Sequence, residues 1–270
     1  MTPPGPSKTA SAAFEERGRR AETLARVSVS AAEPLRFAAG LLRAQAAVAA
    51  VLEAAHAAQP LTGRLEADVR RMLGRLLEIP RFAASAGPAP LSDEAKARES
   101  EAEDTARTRL LVFWSEDRPA AEDYLSRAML RPYVEVLRAA NVAPNRIHRH
   151  GRCPFCGGAP AVACRRGGAE GEGAERFLVC GLCGLEFAFN RILCPSCFEE
   201  DPYRLPTFSS DAHPSVRLEA CETCRRYVKS VDLSQDARPV PEVDDLASLS
   251  MDLWAAEQGY ARIEPGLAGM

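Results

Sequence analysis

Apolar residues recur at helical spacing through the first half of the chain. The clearest series starts at Glu33-Pro34, where a proline suits a first helical turn. It consists of Leu35, Ala38, Leu42, Gln45, Val48, Leu52 and Ala55. Pro60 and Gly63 should end this helix. A second predicted helix stops before Pro80 and carries Leu65, Val69, Met72, Leu73, Leu76 and Leu77.

The rest of this half continues the helical pattern. Residues 83–90 are rich in Ala, Gly and Pro and predict a linker, and Pro132 should kink or restart the helix in which it lies. We therefore predict a flexible N-terminal tail over residues 1–20 and an all-α domain over residues 21–147. Core packing explains the apolar stripes, and no catalytic constellation stands out among them.

Beyond residue 151 the pattern changes to short strands. Strands are predicted at residues 159–163, 176–179, 185–190, 216–220 and 227–231, of which 185–190 alternates strictly between apolar and polar residues. Residues 236–270 predict a loop followed by a helix whose apolar stripe should pack on the rest of the protein. That stripe consists of Leu246, Leu249, Leu253 and Trp254.

Eight of the nine cysteines fall into four Cys-x-x-Cys pairs. The pairs are Cys153/Cys156, Cys180/Cys183, Cys194/Cys197 and Cys221/Cys224. The third pair follows the first by 41 residues, and the fourth follows the second by the same 41 residues. Equal offsets indicate a tandem duplication of one unit.

Two tetrahedral metal sites with four sulfur ligands each fit this arrangement, because one Cys-x-x-Cys turn can direct only two sulfur atoms at an ion. The duplication favours a site within each unit, over residues 148–191 and 192–235. A nested site that joins the second and third pairs is the alternative. Each unit has about 40 residues, a size that normally needs a metal or disulfide, so metal binding and folding should be inseparable.

Several residues near the pairs need separate interpretation. Gly157 and Gly184 follow the second cysteine of each turn in unit one, whereas unit two has Phe198 and Arg225 there, so its turns should be less regular. Cys164 is expected to be a small buried hydrophobic residue, with a reactive thiol as the alternative. His148 and His150 are expected to be exposed, because four thiolates already saturate each ion.

The amino-acid composition and the distribution of charge argue against some classes of function. The 270 residues are 46% hydrophobic and 26% charged, with a formal net charge of −3. Arginines and carboxylates are mixed in the cysteine-rich half, which argues against nucleic-acid binding. No secretory signal and no apolar run near the roughly 20 residues of a membrane span is evident. We therefore expect a cytoplasmic protein, in which paired cysteines are metal ligands rather than disulfides.

Together, the motifs resemble a known family. An N-terminal helical domain, two tandem four-cysteine units and the C-terminal runs 244–249 (DDLASL) and 257–262 (EQGYAR) resemble formate dehydrogenase accessory proteins of the FdhE type. The run from Leu35 to Gln45 is also similar to the first long helix of that family. The resemblance extends over nearly the whole chain, and the C-terminal runs make it specific.

This resemblance implies an α+β multidomain protein with two rubredoxin-like or zinc-ribbon modules and a C-terminal helix. It implies a non-enzymatic cytoplasmic assembly factor that binds the catalytic subunit of respiratory formate dehydrogenase before export. The eight paired cysteines would bind iron, with zinc as the alternative occupant. The sequence leaves open whether the protein forms a homodimer.

Four-cysteine units also occur in proteins with three other kinds of function. Rubredoxin-like iron could serve electron transfer or redox sensing. A nucleic-acid-binding zinc ribbon is disfavoured by the mixed charges, and thiol–disulfide exchange is disfavoured because metal-bound thiolates are poor nucleophiles.

Overall fold

The chain folds into a helical domain, a mixed sheet and a C-terminal helical segment. The computed structural model describes residues 8–116, 123–167, 174–267 and 269. The helices of the first part are α1 (Ala10–Val27), α2 (Ala32–Ala58), α3 (Leu65–Leu76), α4 (Glu78–Ala86), α5 (Ala89–Glu99), α6 (Glu103–Ser115) and α7 (Tyr124–Ala139). This confirms the predicted all-α region.

Helix α2 lies at the centre of this domain. It packs against α1, α4 and α7, and Leu35, Leu42 and Val48 on its apolar stripe are fully buried. By length and composition alone, α2 could cross a membrane. The sequence pattern did not indicate this, because most of its apolar residues are alanines. More than half of its most apolar segment is buried inside the protein, as expected of a core helix.

Helix α1 replaces most of the predicted N-terminal tail. Residues 1–7 lie outside the described residues, but the helix begins at Ala10, and Thr9 caps it by accepting a hydrogen bond from the backbone N–H of Ala12. Phe14 is fully buried, and so are Ala10 and Ala21. The prediction of a flexible tail was wrong here because small residues and an arginine occupy most of the buried face.

The predicted linker and two prolines differ from expectation. The linker at residues 83–90 is mostly helical, since α4 extends to Ala86 and α5 starts at Ala89. Pro80 is the third residue of α4, where a missing N–H costs nothing. Pro132 lies inside the continuous helix α7, so it does not divide that helix.

The strands form one sheet. They are β1 (Pro160–Arg166), β2 (Glu175–Cys180), β3 (Glu186–Ala188), β4 (Thr207–Ser209), β5 (Val216–Ala220), β6 (Arg226–Asp232) and β7 (Ala261–Arg262). The order is β3-β2-β1-β6-β5-β4, with β7 beside β6. Five of these strands lie where the sequence pattern predicts strands. Residues 168–173, which follow β1 and precede β2 in the sequence, lie outside the described residues.

The two cysteine-rich units join head to tail within this sheet. The first strand of unit one, β1, pairs in parallel with the last strand of unit two, β6, through Ala163 opposite Ser230 and Cys164 opposite Val231. The other pairings within each unit are antiparallel. The sequence predicted two modules, but it did not predict that they share a sheet.

Two short helices, rather than one, close the chain. Helices α8 (Pro241–Ala247) and α9 (Leu249–Glu257) are separated at Ser248. Lys229 of β6 is fully buried beneath this break, and its ammonium group donates hydrogen bonds to the carbonyl oxygens of Asp245 and Ser248. The same two carbonyl oxygens also accept hydrogen bonds from the backbone N–H groups of Ser248 and Met251, so Lys229 is an additional donor at the break between the helices.

The charge of Lys229 is balanced locally. It forms ion pairs with Asp245 at 3.2 Å and Asp252 at 2.5 Å, and Arg262 of β7 binds the same two carboxylates. Two cations and two anions therefore share one buried cluster, which satisfies the requirement that buried charges be paired. The cluster attaches α8 and α9 to the sheet.

A second buried ion cluster joins α8 to the helical domain. Arg17 of α1 and Arg131 of α7 both bind Glu135 of α7 and Glu242 of α8, with nitrogen–oxygen distances of 2.5–3.2 Å. Burial alone would raise the pKa of Glu242, but the positive charges of Arg131 and Arg17 outweigh it and hold the pKa below its ordinary value. Both clusters are charge-balanced and connect separate parts of the chain.

The Glu242→Gln substitution should destabilise the protein at neutral pH. Removing one partner of a buried ion pair costs roughly 3–5 kcal/mol, because the remaining charges lose compensation. The pKa of Glu242 is depressed in the folded state, so its stabilising contribution is present above the unfolded-state pKa of about 4.3 and is lost on acidification. Because this loss begins near pH 4.3 and continues as the pH falls further, thermal unfolding followed from about pH 6 to about pH 2 should show a flatter pH dependence in the variant.

The exposed Glu257 provides the control for this experiment. It makes no ion pair within the described residues, so Glu257→Gln should leave the pH dependence of unfolding unchanged. Equal effects of the two substitutions would contradict the stabilising role assigned to Glu242.

Candidate metal centres

The structure brings the eight paired cysteines together as two groups of four. Site 1 consists of Cys153, Cys156, Cys180 and Cys183, and site 2 consists of Cys194, Cys197, Cys221 and Cys224. In each group all four Sγ atoms lie within 4.8 Å of one another. The predicted grouping within units is confirmed, and the nested alternative was wrong.

The sulfur positions repeat between the two sites. The first and last cysteines of each unit are close together, with Sγ–Sγ distances of 3.6 Å for Cys153–Cys183 and 3.8 Å for Cys194–Cys224. The inner cysteines are 3.5 and 3.6 Å apart. A metal–sulfur bond of about 2.3 Å implies a tetrahedron with edges of about 3.8 Å. Both groups could therefore bind a tetrahedral metal ion.

Each of the four turns is closed by the same hydrogen bond. The residue after the second cysteine donates its N–H to the carbonyl oxygen of the first cysteine, at 2.9 Å for Gly157, 3.0 Å for Gly184, 3.0 Å for Phe198 and 2.9 Å for Arg225. All four residues have φ between +55° and +69°. The expectation of less regular turns in unit two was wrong, since Phe198 and Arg225 adopt the left-handed conformation despite their side chains.

The thiols of site 1 cannot all ionise without a compensating cation. Hydrogen bonds from Cys156, Cys180 and Cys183 lower the pKa of Cys153, because they stabilise its thiolate. The pKa values of Cys156 and Cys183 are raised, first because these thiols donate to Cys153. A divalent cation would supply the positive charge that lets all four sulfurs act as thiolate ligands.

Site 1 lies inside the protein. Its four cysteines are fully buried and belong to the main hydrophobic core together with residues of the helical domain. Arg138 of α7 donates a 2.9 Å hydrogen bond from Nε to the carbonyl oxygen of Cys183. Helix α7 therefore holds the second turn of site 1 directly.

Site 2 lies at the surface. Cys197 is exposed and Cys224 is half-buried, whereas Cys194 and Cys221 are buried. Although the two sites have the same internal geometry, solvent and small molecules can reach only site 2 without local opening of the protein.

Cys164, His148 and His150 lie near the paired cysteines in the sequence but outside both groups. Cys164 is fully buried in β1, and burial raises the pKa of its thiol to about 12, so it is the hydrophobic residue that was expected. His148 and His150 are exposed and belong to neither sulfur group. The ring of His150 packs against Phe198, with 4.7 Å between centroids.

Sequence reasoning missed one residue that shapes site 1 and one that attaches the C-terminal helices to the sheet. A side chain at Gly158 would place its Cβ 2.8 Å from the Sγ of Cys180, so glycine is required there. The Gly157-Gly158 pair was a signal for such a close approach. Lys229 was also missed, although it is one of only three lysines in the chain and lies in a predicted strand.

The fold and the sulfur geometry define a class: a helical domain joined to two tandem four-cysteine metal modules. Known proteins share this combination. Family models described as the FdhE central domain and the FdhE C-terminal domain match residues 152–191 and 192–267. The crystal structure of the FdhE protein from Pseudomonas aeruginosa is similar with a TM-score of 0.67 and 26% identity, covering 94% of this chain and 95% of that one.

The chain is therefore similar to FdhE proteins, by sequence in both cysteine-rich modules and by fold over nearly its whole length. An FdhE homologue from Aquifex aeolicus is 36% identical over 117 residues, and one from P. aeruginosa is 36% identical over 119 residues. These matches cover 43% of this chain in both cases, and 41% and 38% of the respective relatives, so less than half of each relative's length is matched in sequence.

The difference in burial predicts two rates of metal release. In zinc-loaded protein, a chromophoric chelator should remove one equivalent at least about tenfold faster than the other, because release from site 1 requires local opening of the core. The Cys197→Ser/Cys224→Ser variant should lose the fast phase and keep the slow one. A single phase for both equivalents, or a fast phase that survives in this variant, would contradict the assignment.

The backbone conformation at Phe198 predicts a difference between two substitutions. Phe198→Ala and Phe198→Gly both remove the ring, but only glycine relieves the left-handed strain of about 1–2 kcal/mol. Phe198→Gly should therefore unfold at higher temperature than Phe198→Ala. Equal melting temperatures would show that the turn at site 2 carries no such strain.

Proposed function

We propose that this protein is a cytoplasmic, non-enzymatic assembly factor that binds the catalytic subunit of respiratory formate dehydrogenase before its export. The observation that carries this proposal is the pair of four-cysteine groups within the FdhE central and C-terminal domains. Similarity to an FdhE crystal structure over 94% of the chain extends the argument to the helical domain.

In this proposal the metal ions stabilise the surface that the partner binds. The eight paired cysteines are the ligands, with iron as the proposed metal at both sites and zinc as the alternative. The chemistry of the donor set supports both metals, because each accepts four thiolates in a tetrahedron. The surrounding residues orient these ligands through the closed turns and, at site 1, through Arg138.

Redox sensing or electron transfer is the second candidate, and the exposure of Cys197 favours it. An iron ion at site 2 would lie close to the surface, where a redox partner could approach it. Site 1 is less suited to this role because its cysteines are fully buried. Reduction and reoxidation of bound iron in step with formate oxidation would support this function.

The assembly-factor proposal predicts co-purification of a formate dehydrogenase catalytic subunit with the tagged protein, together with about two metal ions per chain. Cys180→Ser/Cys183→Ser should lose one metal ion and most of the bound subunit, because site 1 supports both the sheet and its contact with α7. Co-purified proteins would be identified by mass spectrometry, and metals by elemental analysis. The mass in solution of the protein without the subunit would show whether it forms a homodimer.

Two further variants separate partner binding from general unfolding. Cys164→Ala changes a buried cysteine outside both groups and should retain both metals and the subunit. Cys197→Ser/Cys224→Ser removes ligands at the exposed site and should lose the metal ion of site 2 while site 1 keeps its own. Retention of two metals without any dehydrogenase subunit would overturn the proposed function.

A further inference from the structure

A groove runs along the junction of the two cysteine-rich modules. Three cavities of about 770, 60 and 410 Å³ adjoin one another along it. The first and second share Arg165, Arg176 and Arg191, and the second and third share Pro195, Arg226 and Ile263. Cys194 and Cys221 of site 2 also line the middle cavity.

The groove has an excess of positive charge. Its arginines are Arg149, Arg152, Arg165, Arg176, Arg191 and Arg226, and we call it the arginine groove. Its carboxylates are Glu175, Glu219 and Glu264. Six arginines and three glutamates leave a formal charge of +3, on a chain whose net charge is −3. This local excess has the opposite sign to the charge of the whole protein.

The positive charge is only partly compensated inside the groove. Glu219 binds both Arg165 at 3.1 Å and Arg176 at 2.7 Å. Arg191 and Arg226 form no ion pair with any residue that the structure describes. Arg191 is exposed and Arg226 is half-buried, so the guanidinium groups of these two residues remain available to an anionic ligand.

We propose that the arginine groove binds an extended acidic segment of a polypeptide. Guanidinium groups bind carboxylates with paired hydrogen bonds, and a succession of arginines along a groove suits a succession of acidic side chains. The groove also passes the end of β3, the strand at one edge of the sheet, where an extended peptide can approach backbone groups.

A nucleic acid fits this groove less well. One glutamate lines each of the three cavities and would repel a continuous phosphate backbone, whereas a peptide can place neutral residues opposite the glutamates. Among the lining residues only Phe189, Phe198 and His150 supply aromatic rings, and His150 already packs against Phe198, whereas single-stranded nucleic acids normally stack on a series of rings. The proposal does not depend on which protein supplies the acidic segment.

Fluorescence anisotropy with a short glutamate-rich peptide tests this proposal on the full chain. The labelled peptide should bind saturably, more weakly at about 0.15 M salt than at low salt, and a peptide with glutamine in place of glutamate should not bind. Arg191→Glu/Arg226→Glu should weaken binding at least about tenfold, because two attractive charges become repulsive. Circular dichroism and metal content would verify that the variant is folded.

A matched charge change elsewhere gives the control. Arg36 and Arg70 are exposed on α2 and α3, away from the groove, and Arg36→Glu/Arg70→Glu alters the net charge equally. This variant should bind the peptide as the unsubstituted protein does. Absence of saturable binding, equal weakening by both variants, or tighter groove-dependent binding of a single-stranded oligonucleotide would each overturn the proposal. None of these outcomes bears on dehydrogenase co-purification.

Discussion

The convergence of four sulfur atoms at each site is the constraint on which the cysteine-rich half depends. Cys153 and Cys183 are 30 residues apart, and their Sγ atoms are 3.6 Å apart. A module of about 40 residues buries too little apolar surface to hold such a loop closed by packing alone. At site 1 the same sulfur atoms also belong to the main core, and Arg138 connects them to α7. Closure of site 1 therefore fixes both the module and its position on the helical domain.

The two units show how one geometry adapts to different surroundings. Around site 1 the turns meet neighbouring chain: a Cβ at Gly157 would lie 2.3 Å from the carbonyl oxygen of Ile147, so glycine is required there. Around site 2 there is more space, and larger residues occupy the same left-handed positions. Phe198 packs on His150, and Arg225 lies 4.0 Å from the ring centroid of Tyr260. These contacts offset some of the strain, so duplication preserved the turn while the exposure of the two sites diverged.

Local patterns in the sequence predicted much of this structure, and interactions between distant residues account for what was missed. The 41-residue offset favoured the grouping of the eight paired cysteines that the structure has, although it left a nested alternative open. Helix α1 was not predicted, because its buried face contains the charged residue Arg17. Glu135 and Glu242, which are distant in the sequence, neutralise that charge. The β1–β6 pairing likewise joins strands with no adjacent sequence signal. Such features follow from the assembled fold rather than from local periodicity.

The distribution of charge follows from the same assembly. Several carboxylates turn inward, where Glu135 and Glu242 compensate two buried arginines and Asp245 and Asp252 compensate Lys229 and Arg262. Asp245 in the C-terminal run 244–249 pairs with Arg262 at the end of the run 257–262. This ion pair explains why one run carries an acid and the other an arginine. Acids paired in the interior contribute little to the field outside the protein. Although the whole chain is acidic, the head-to-tail junction of the modules can therefore gather six arginines into one positive groove.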